Sequence, residues 1–123
     1  MSSWRRKAIE LLPDLRHEFQ DKDATPYTVF FELLPRCRQA HREGNDAELH
    51  KIYGYAEWCY RQKQKELWNA AGVSFYEHLG DSPETRNEMH KWVKADIFEE
   101  ISGLLEYMMG AKEFAKLKKQ YSK

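Results

Sequence analysis

The chain has 123 residues, of which 41% are hydrophobic and 14% aromatic, and its 20 basic and 20 acidic side chains leave no formal net charge. A chain of that length builds one core and not two, and that apolar content excludes intrinsic disorder. The balanced charge argues against non-specific nucleic-acid binding by overall charge.

The first helix is predicted from Ser3, its N-cap, to about Gln20. Its stripe is Trp4, Ala8, Leu11, Leu12, Leu15 and Phe19, at spacings of three and four. Pro13 interrupts the stripe, so a kink or a fresh start falls there. After the polar loop QDKDA, Thr25-Pro26 is a strong start signal, with Thr as cap and Pro at the first helical position. The helix it opens carries Tyr27, Phe30, Phe31 and Leu34 on one face, bends at Pro35 and ends at Gly44-Asn45.

Asp46 is the expected cap of the third helix, whose buried face is Leu49, Ile52, Tyr53, Ala56, Cys59 and Tyr60. Glu57 and Arg61 stand at i and i+4 in the favourable order, a pair worth about 0.3–0.5 kcal/mol. The polar run RQKQK is a hinge or a frayed end. A fourth helix follows from about Glu66 to Leu79 and is apolar nearly all round, so neighbours are expected on several sides. Its small residues Ala70, Ala71, Gly72 and Ser74 admit close approach of those neighbours. Gly80 is its expected left-handed C-cap.

Ser82-Pro83-Glu84 starts the fifth element, which carries Met89, Trp92 and Val93. The chain continues, with or without a break near Lys94, into a helix whose stripe is Ile97, Ile101, Leu104, Leu105 and Met108. The last segment is a weak helix with Phe114, Leu117 and Tyr121. No β-alternation of useful length occurs. The fold class is therefore all-α: a single compact helical bundle or a short stack of helical hairpins, with roughly five to seven helices. One domain spans 1–123, with a basic tail that frays from about 111.

Cys37 and Cys59 fall on separate helices, outside any CxxC or zinc-ligand spacing, which reads as two reduced thiols. The start, MSSWRRKAIELLPD, lacks the uninterrupted apolar run of a signal peptide. No apolar run approaches the ~18 residues that span a bilayer. A cytoplasmic protein with no membrane contact is expected.

Candidate chemistry is thin. Glu77 and His78 are adjacent on a helix and point about 100° apart, so they do not chelate one ion easily. The plainer reading of His78 is a half-buried ring bonded to a carbonyl or carboxylate. Ser74 in AGVSFY has Gly72 on one side but Tyr76 on the other, which breaks the nucleophile-elbow pattern. His17, His41, His50 and His90 are scattered, and only Asp14 with His17 approaches the spacing of a di-metal bundle. Phosphate-binding glycine patterns are missing. No catalytic residue, metal or cofactor is assigned, and the protein is not expected to be an enzyme.

Charge is unevenly spread. Between Glu66 and Gly110 nine acidic and three basic residues give a net charge of −6, whereas five Lys and one Glu give +4 from Ala111 onward. This pattern reads either as an ordinary solvated face or as an acidic surface that steers a basic partner. Trp58 lies off the buried stripe of its helix and is a candidate interface anchor.

The run KIYGYAEWCYRQKQKELWNAAGVSFYEHLGD resembles a motif of small bacterial helical proteins of unknown function. Its positions here are Ile52, Ala56 and Glu57, then Asn69, Ala70, Phe75, Glu77 and Leu79. Such proteins are similar to immunity proteins that neutralise toxins deployed against neighbouring bacteria. The resemblance implies a cytoplasmic immunity or antitoxin-like protein that binds a cognate toxin stoichiometrically. The contact residues expected for it are Glu84, Glu88, Asp96, Glu99 and Glu100, with Trp58 or Tyr76 as anchor. The partner is then a toxin protein with a basic surface, not nucleic acid or membrane. The alternative is a helical scaffold or adaptor module that binds a protein or peptide through an exposed apolar groove.

Overall fold

Pro13 cuts the first expected helix into three pieces. In the computed structural model, which describes residues 1–122, α1 spans Ser3–Leu11, a 3-10 turn covers Pro13–Leu15, and α2 spans Arg16–Gln20. Proline disfavours helical geometry in the residue before it, and Leu12 accordingly leaves the helix at φ −129°, ψ 74°. Ser2, not Ser3, occupies the N-cap position of α1.

The longest helix, α3, spans Pro26–Glu43. Thr25 caps it: its hydroxyl accepts from the Thr28 amide at 3.4 Å, and the Thr28 hydroxyl accepts from the Thr25 amide at 3.0 Å. The helix continues through Pro35, where the sequence predicts a bend. It stops at Gly44, whose φ of 65° is the left-handed geometry that glycine tolerates. Asn45, and not Asp46, then caps α4 (Asp46–Tyr60) by accepting from the Glu48 amide at 3.2 Å.

Beyond the polar hinge, α5 covers Lys65–Ser74 and ends sooner than expected. Phe75 leaves the helix at φ −131°, ψ −71°, and Tyr76–Asp81 is a 3-10 segment. Gly80 is no left-handed cap, since only Gly44 and Gly110 have positive φ among the described glycines. A Cβ on Gly80 would sit 2.7 Å from Cγ and Sδ of Met109, so a larger residue here requires the Met109 side chain to shift. Gly72, by contrast, has nothing within 4 Å of its Cβ position and makes no close approach.

Four helices complete the chain: α6 (Pro83–Arg86), α7 (Met89–Trp92), α8 (Ala95–Met109) and α9 (Ala111–Tyr121). The break before α8 falls at Lys94, as the sequence allows. The all-α expectation holds among the described residues, with nine α-helices instead of five to seven. The surplus comes from short pieces at Pro13 and between Ser82 and Lys94. Thr85, fully buried, marks one of these interruptions: its hydroxyl reaches the carbonyls of Leu79 and Ser82.

α3, α4 and α5 pack pairwise, α1 and α7 lie against α4, and α8 crosses the 3-10 segment and pairs with α9. One apolar cluster runs through all of them. Its centre is aromatic: Phe75 has Phe30, Tyr53 and Tyr76 with ring centroids 5.7, 5.7 and 5.5 Å away. α5 is not covered on every side, because Trp68 stays 38% exposed and Val73 half-buried. From 111 onward, where the sequence reads as a basic tail, the chain is helical to Tyr121. Phe114 and Leu117 are buried there, and Tyr121 stacks on Phe98 with centroids 3.8 Å apart. Among the described residues no helix is long and apolar enough to cross a membrane.

Candidate functional site

The outer side of α8 gathers the exposed apolar and acidic groups that the amino-acid pattern places there. Ile97, Phe98, Ile101 and Leu105 face the core and are buried. Leu104 and Met108, which the stripe assigns to the core, are 41% and 40% exposed, and Tyr107 between them is 87% exposed. Residues three and four apart share a helix face, so these three form one apolar knuckle. Glu99, Glu100 and Glu106 are exposed on the same helix, and Asp96 is exposed in its first turn.

The expected acidic face divides in two, and much of it is already paired. Asp96 and Glu100 lie at the start of α8 beside the end of α4. Arg61 donates to both oxygens of Asp96 at 2.9 and 3.3 Å, and this holds the Asp96 carboxyl below its usual range. Tyr60 donates to Glu100 at 2.9 Å. Burial, then that carboxylate, pushes the Tyr60 phenol up to about 12. Arg61 also holds Glu57 at 2.8 Å, and Lys94 reaches the same oxygen at 2.9 Å. Burial works against ionising Glu57, but the two cations outweigh it and keep its carboxyl below the usual range.

Glu84 and Glu88 belong elsewhere, near the end of α3. Arg42 donates to Glu84 at 2.8 Å, and Lys91 stands 3.0 Å from Glu88. Both acids act on His41, whose half-buried ring is nevertheless held below its ordinary value by burial. Of the five acidic residues singled out in the sequence, only Glu99 makes no hydrogen bond or ion pair among the described residues. Glu106 shares that freedom, and neither it nor Tyr107 stands out in the sequence. A count of the exposed side of the α8 helical wheel finds both.

The two anchor candidates part company. Trp58 lies against α1 beside Lys7, whose ammonium is 5.0 Å from its ring centroid, and stacks on Tyr55. It does not join the α8 face. Tyr76 is 1% exposed and packs against Phe75 and Tyr60, so it is a core side chain and offers no surface to a partner. Its place in the apolar centre follows from the end of α5 at Phe75, which turns Tyr76 inward.

A separate groove of about 620 Å³ runs between α3 and the end of α5. Phe31, expected to share the buried face with Phe30, stands at this groove 80% exposed. His78 lines it with Nδ1 donating to Asp81 Oδ2 at 2.8 Å, the carboxylate partner that the plainer reading expects. Ser74 lines it too, without a hydrogen bond to His78 among the described residues. Both cysteines are buried free thiols, pushed by burial to about 11 for Cys37 and about 12 for Cys59. Among the described residues no three His, Cys, Asp or Glu side chains converge as metal ligands would.

A profile of the family described as "Domain of unknown function (DUF7674)" matches residues 5–110. Neither a curated protein nor a solved structure matches the chain.

Proposed function

The chain belongs to the DUF7674 family, a domain of unknown function, and on that premise we propose that it is an immunity-like protein that neutralises a bacterial toxin by stoichiometric contact. The observation that carries this reading is the outer side of α8, where an almost fully exposed Tyr107 stands beside Leu104 and Met108 on a helix that also exposes Glu99 and Glu106. Large exposed aromatics are preferred interface anchors, because they bury much area at little entropic cost. Unpaired carboxylates on the same helix as such an anchor suit a partner with a basic surface, steering its approach and rejecting acidic competitors. The residues assigned are Tyr107, Leu104 and Met108 as the apolar centre, with Glu99 and Glu106 as the free charges. Asp96 and Glu100 form the rim that Arg61 and Tyr60 hold in place. The cytoplasm is the compartment this role requires.

The test is co-expression with a toxin encoded beside the gene, joined to binding kinetics on the purified pair. Rescue of growth and a stable one-to-one complex are expected. Tyr107→Ala should raise the dissociation rate by roughly tenfold or more. Glu99→Lys with Glu106→Lys should slow association and flatten its salt dependence. Binding with normal kinetics in both variants would remove the α8 face from the interface, and failure of the unaltered chain to bind or protect would end the immunity reading. The alternative, an adaptor module, draws on the groove beside Phe31 in place of the α8 face.

A further inference from the structure

Gly103 is a position that the fold of one chain does not explain. It sits inside α8 without a positive φ, is exposed, and has nothing within 4 Å of where a Cβ would be. Glycine is the poorest helix former after proline, so an exposed interior position favours almost any other residue. Four residues on, Tyr107 is the most exposed of the large apolar side chains among the described residues. Residues four apart share a helix face. α8 therefore carries a notch and a knob one turn apart, and its own tyrosine does not fill its own notch.

We infer that a second copy of this chain covers this face in the free protein. The two α8 helices pack antiparallel about a two-fold axis, and Tyr107 of each protomer seats over Gly103 of its partner. Knob and notch on one helix are self-complementary in that arrangement: an axis level with Leu105 faces position 103 with 107 and 107 with 103. Parallel pairing in register would set tyrosine against tyrosine. Leu104 and Met108, also exposed, lie on the side of Tyr107 away from the notch and complete the apolar centre. Charge favours the same occupant and the same direction. Asp96, Glu99 and Glu100 crowd the first turns of α8, whereas Lys112 opens α9 just past its end and makes no ion pair among the described residues. Antiparallel pairing brings each acidic start to the other copy's basic end. It also separates like charges: at about 1.5 Å per residue the two Glu99 side chains stand on levels roughly 18 Å apart, beyond the screening length of about 8 Å. Glu106 is about 100° round the helix from Tyr107 and stays in water at the rim. Three exposed apolar side chains a side make a small interface, so the dimer is weak and exchanges readily. The inference requires no toxin; a toxin that uses this face displaces the second copy, and the two readings fail separately.

The experiment is sedimentation equilibrium on the full chain alone, at concentrations up to about 1 mM, where a monomer–dimer equilibrium in the micromolar range is expected. Tyr107→Ala should weaken it by roughly tenfold or more. Gly103→Gln fills the notch with a better helix former, so it should weaken the dimer comparably while raising the urea midpoint of the dilute monomer. Those opposite signs separate a docking notch from a glycine that the fold itself requires. Glu99→Lys and Lys112→Glu should each weaken association by roughly threefold, and combining them in one chain should restore it. A chain that stays monomeric at the highest concentration would overturn the proposal, as would a dimer indifferent to both Tyr107→Ala and Gly103→Gln. A double charge variant that is not restored would overturn the antiparallel pairing. Protection of Tyr107 that appears only on adding a toxin would give the face to the toxin and not to a second copy.

Discussion

His41 shows how one side chain ties stability to pH. Its Nε2 lies 2.7 Å from the Tyr53 hydroxyl. Burial lowers its proton affinity below the ordinary 6.5, while Glu88, Glu84 and Asp46 pull weakly the other way. The unfolded chain therefore takes up the proton before the folded one does. Stability is complete above the unfolded value of 6.5 and declines as pH falls from there through the folded value. Urea midpoints should drop as pH falls below 6.5. His41→Gln, which can still bond Tyr53 but does not titrate, should flatten that slope. An unchanged slope would place the titrating group elsewhere. The sequence shows His41 only as one of several scattered histidines. Its partner, twelve residues away on the next helix, is a product of packing.

At the scale of elements, Pro35 is the departure from local rules. Proline in a helix interior removes a donor and crowds the carbonyl four residues back, here that of Phe31. α3 nevertheless continues through it for a total of 18 residues, held by Val29, Phe30, Leu33 and Cys37 against the core. Pro35 itself is exposed, so no packing is lost if it is replaced. Pro35→Ala should stabilise the protein by about 1–3 kcal/mol, read as a higher urea midpoint at constant slope. A loss would mean that the core requires the helix path that proline imposes. The contrast between starts and stops explains what could be read from the chain. Thr25-Pro26, Ser82-Pro83 and Gly44 announce themselves because capping and fixed φ are local chemistry. The end of α5 does not, because Phe75, Tyr76 and Leu79 keep apolar character on both sides of the break. What ends the helix is tertiary: Tyr76 and Leu79 both turn into the core, and Gly80 slides under Met109.

Across the whole molecule, charge was legible as a count and illegible as a surface. The net −6 between Glu66 and Gly110 is real, but Arg42 and Arg61 reach across 42 and 35 positions to answer Glu84 and Asp96. Only the fold reveals that Glu66, Glu77, Glu99 and Glu106 are the acids of this stretch without an ion pair or side-chain hydrogen bond among the described residues, the last two on the helix that exposes Tyr107. The same holds for α9, whose lysines dominate the sequence while its apolar residues decide its behaviour. Leu117 is 2% exposed, Phe114 stacks on Phe98, and the Tyr121 hydroxyl lies 3.1 and 2.9 Å from the carbonyls of Met89 and Val93. α9 thus clamps α7 and α8, the very helix that presents the candidate face. Leu117→Ala should cost about 2–4 kcal/mol in urea denaturation, as for a core leucine. It should also weaken hydrogen-exchange protection in α8 along with α9. A docked helix and a frayed tail give opposite results here. A loss below about 0.5 kcal/mol, the scale of a surface change, would mean that α9 contributes nothing to holding α8.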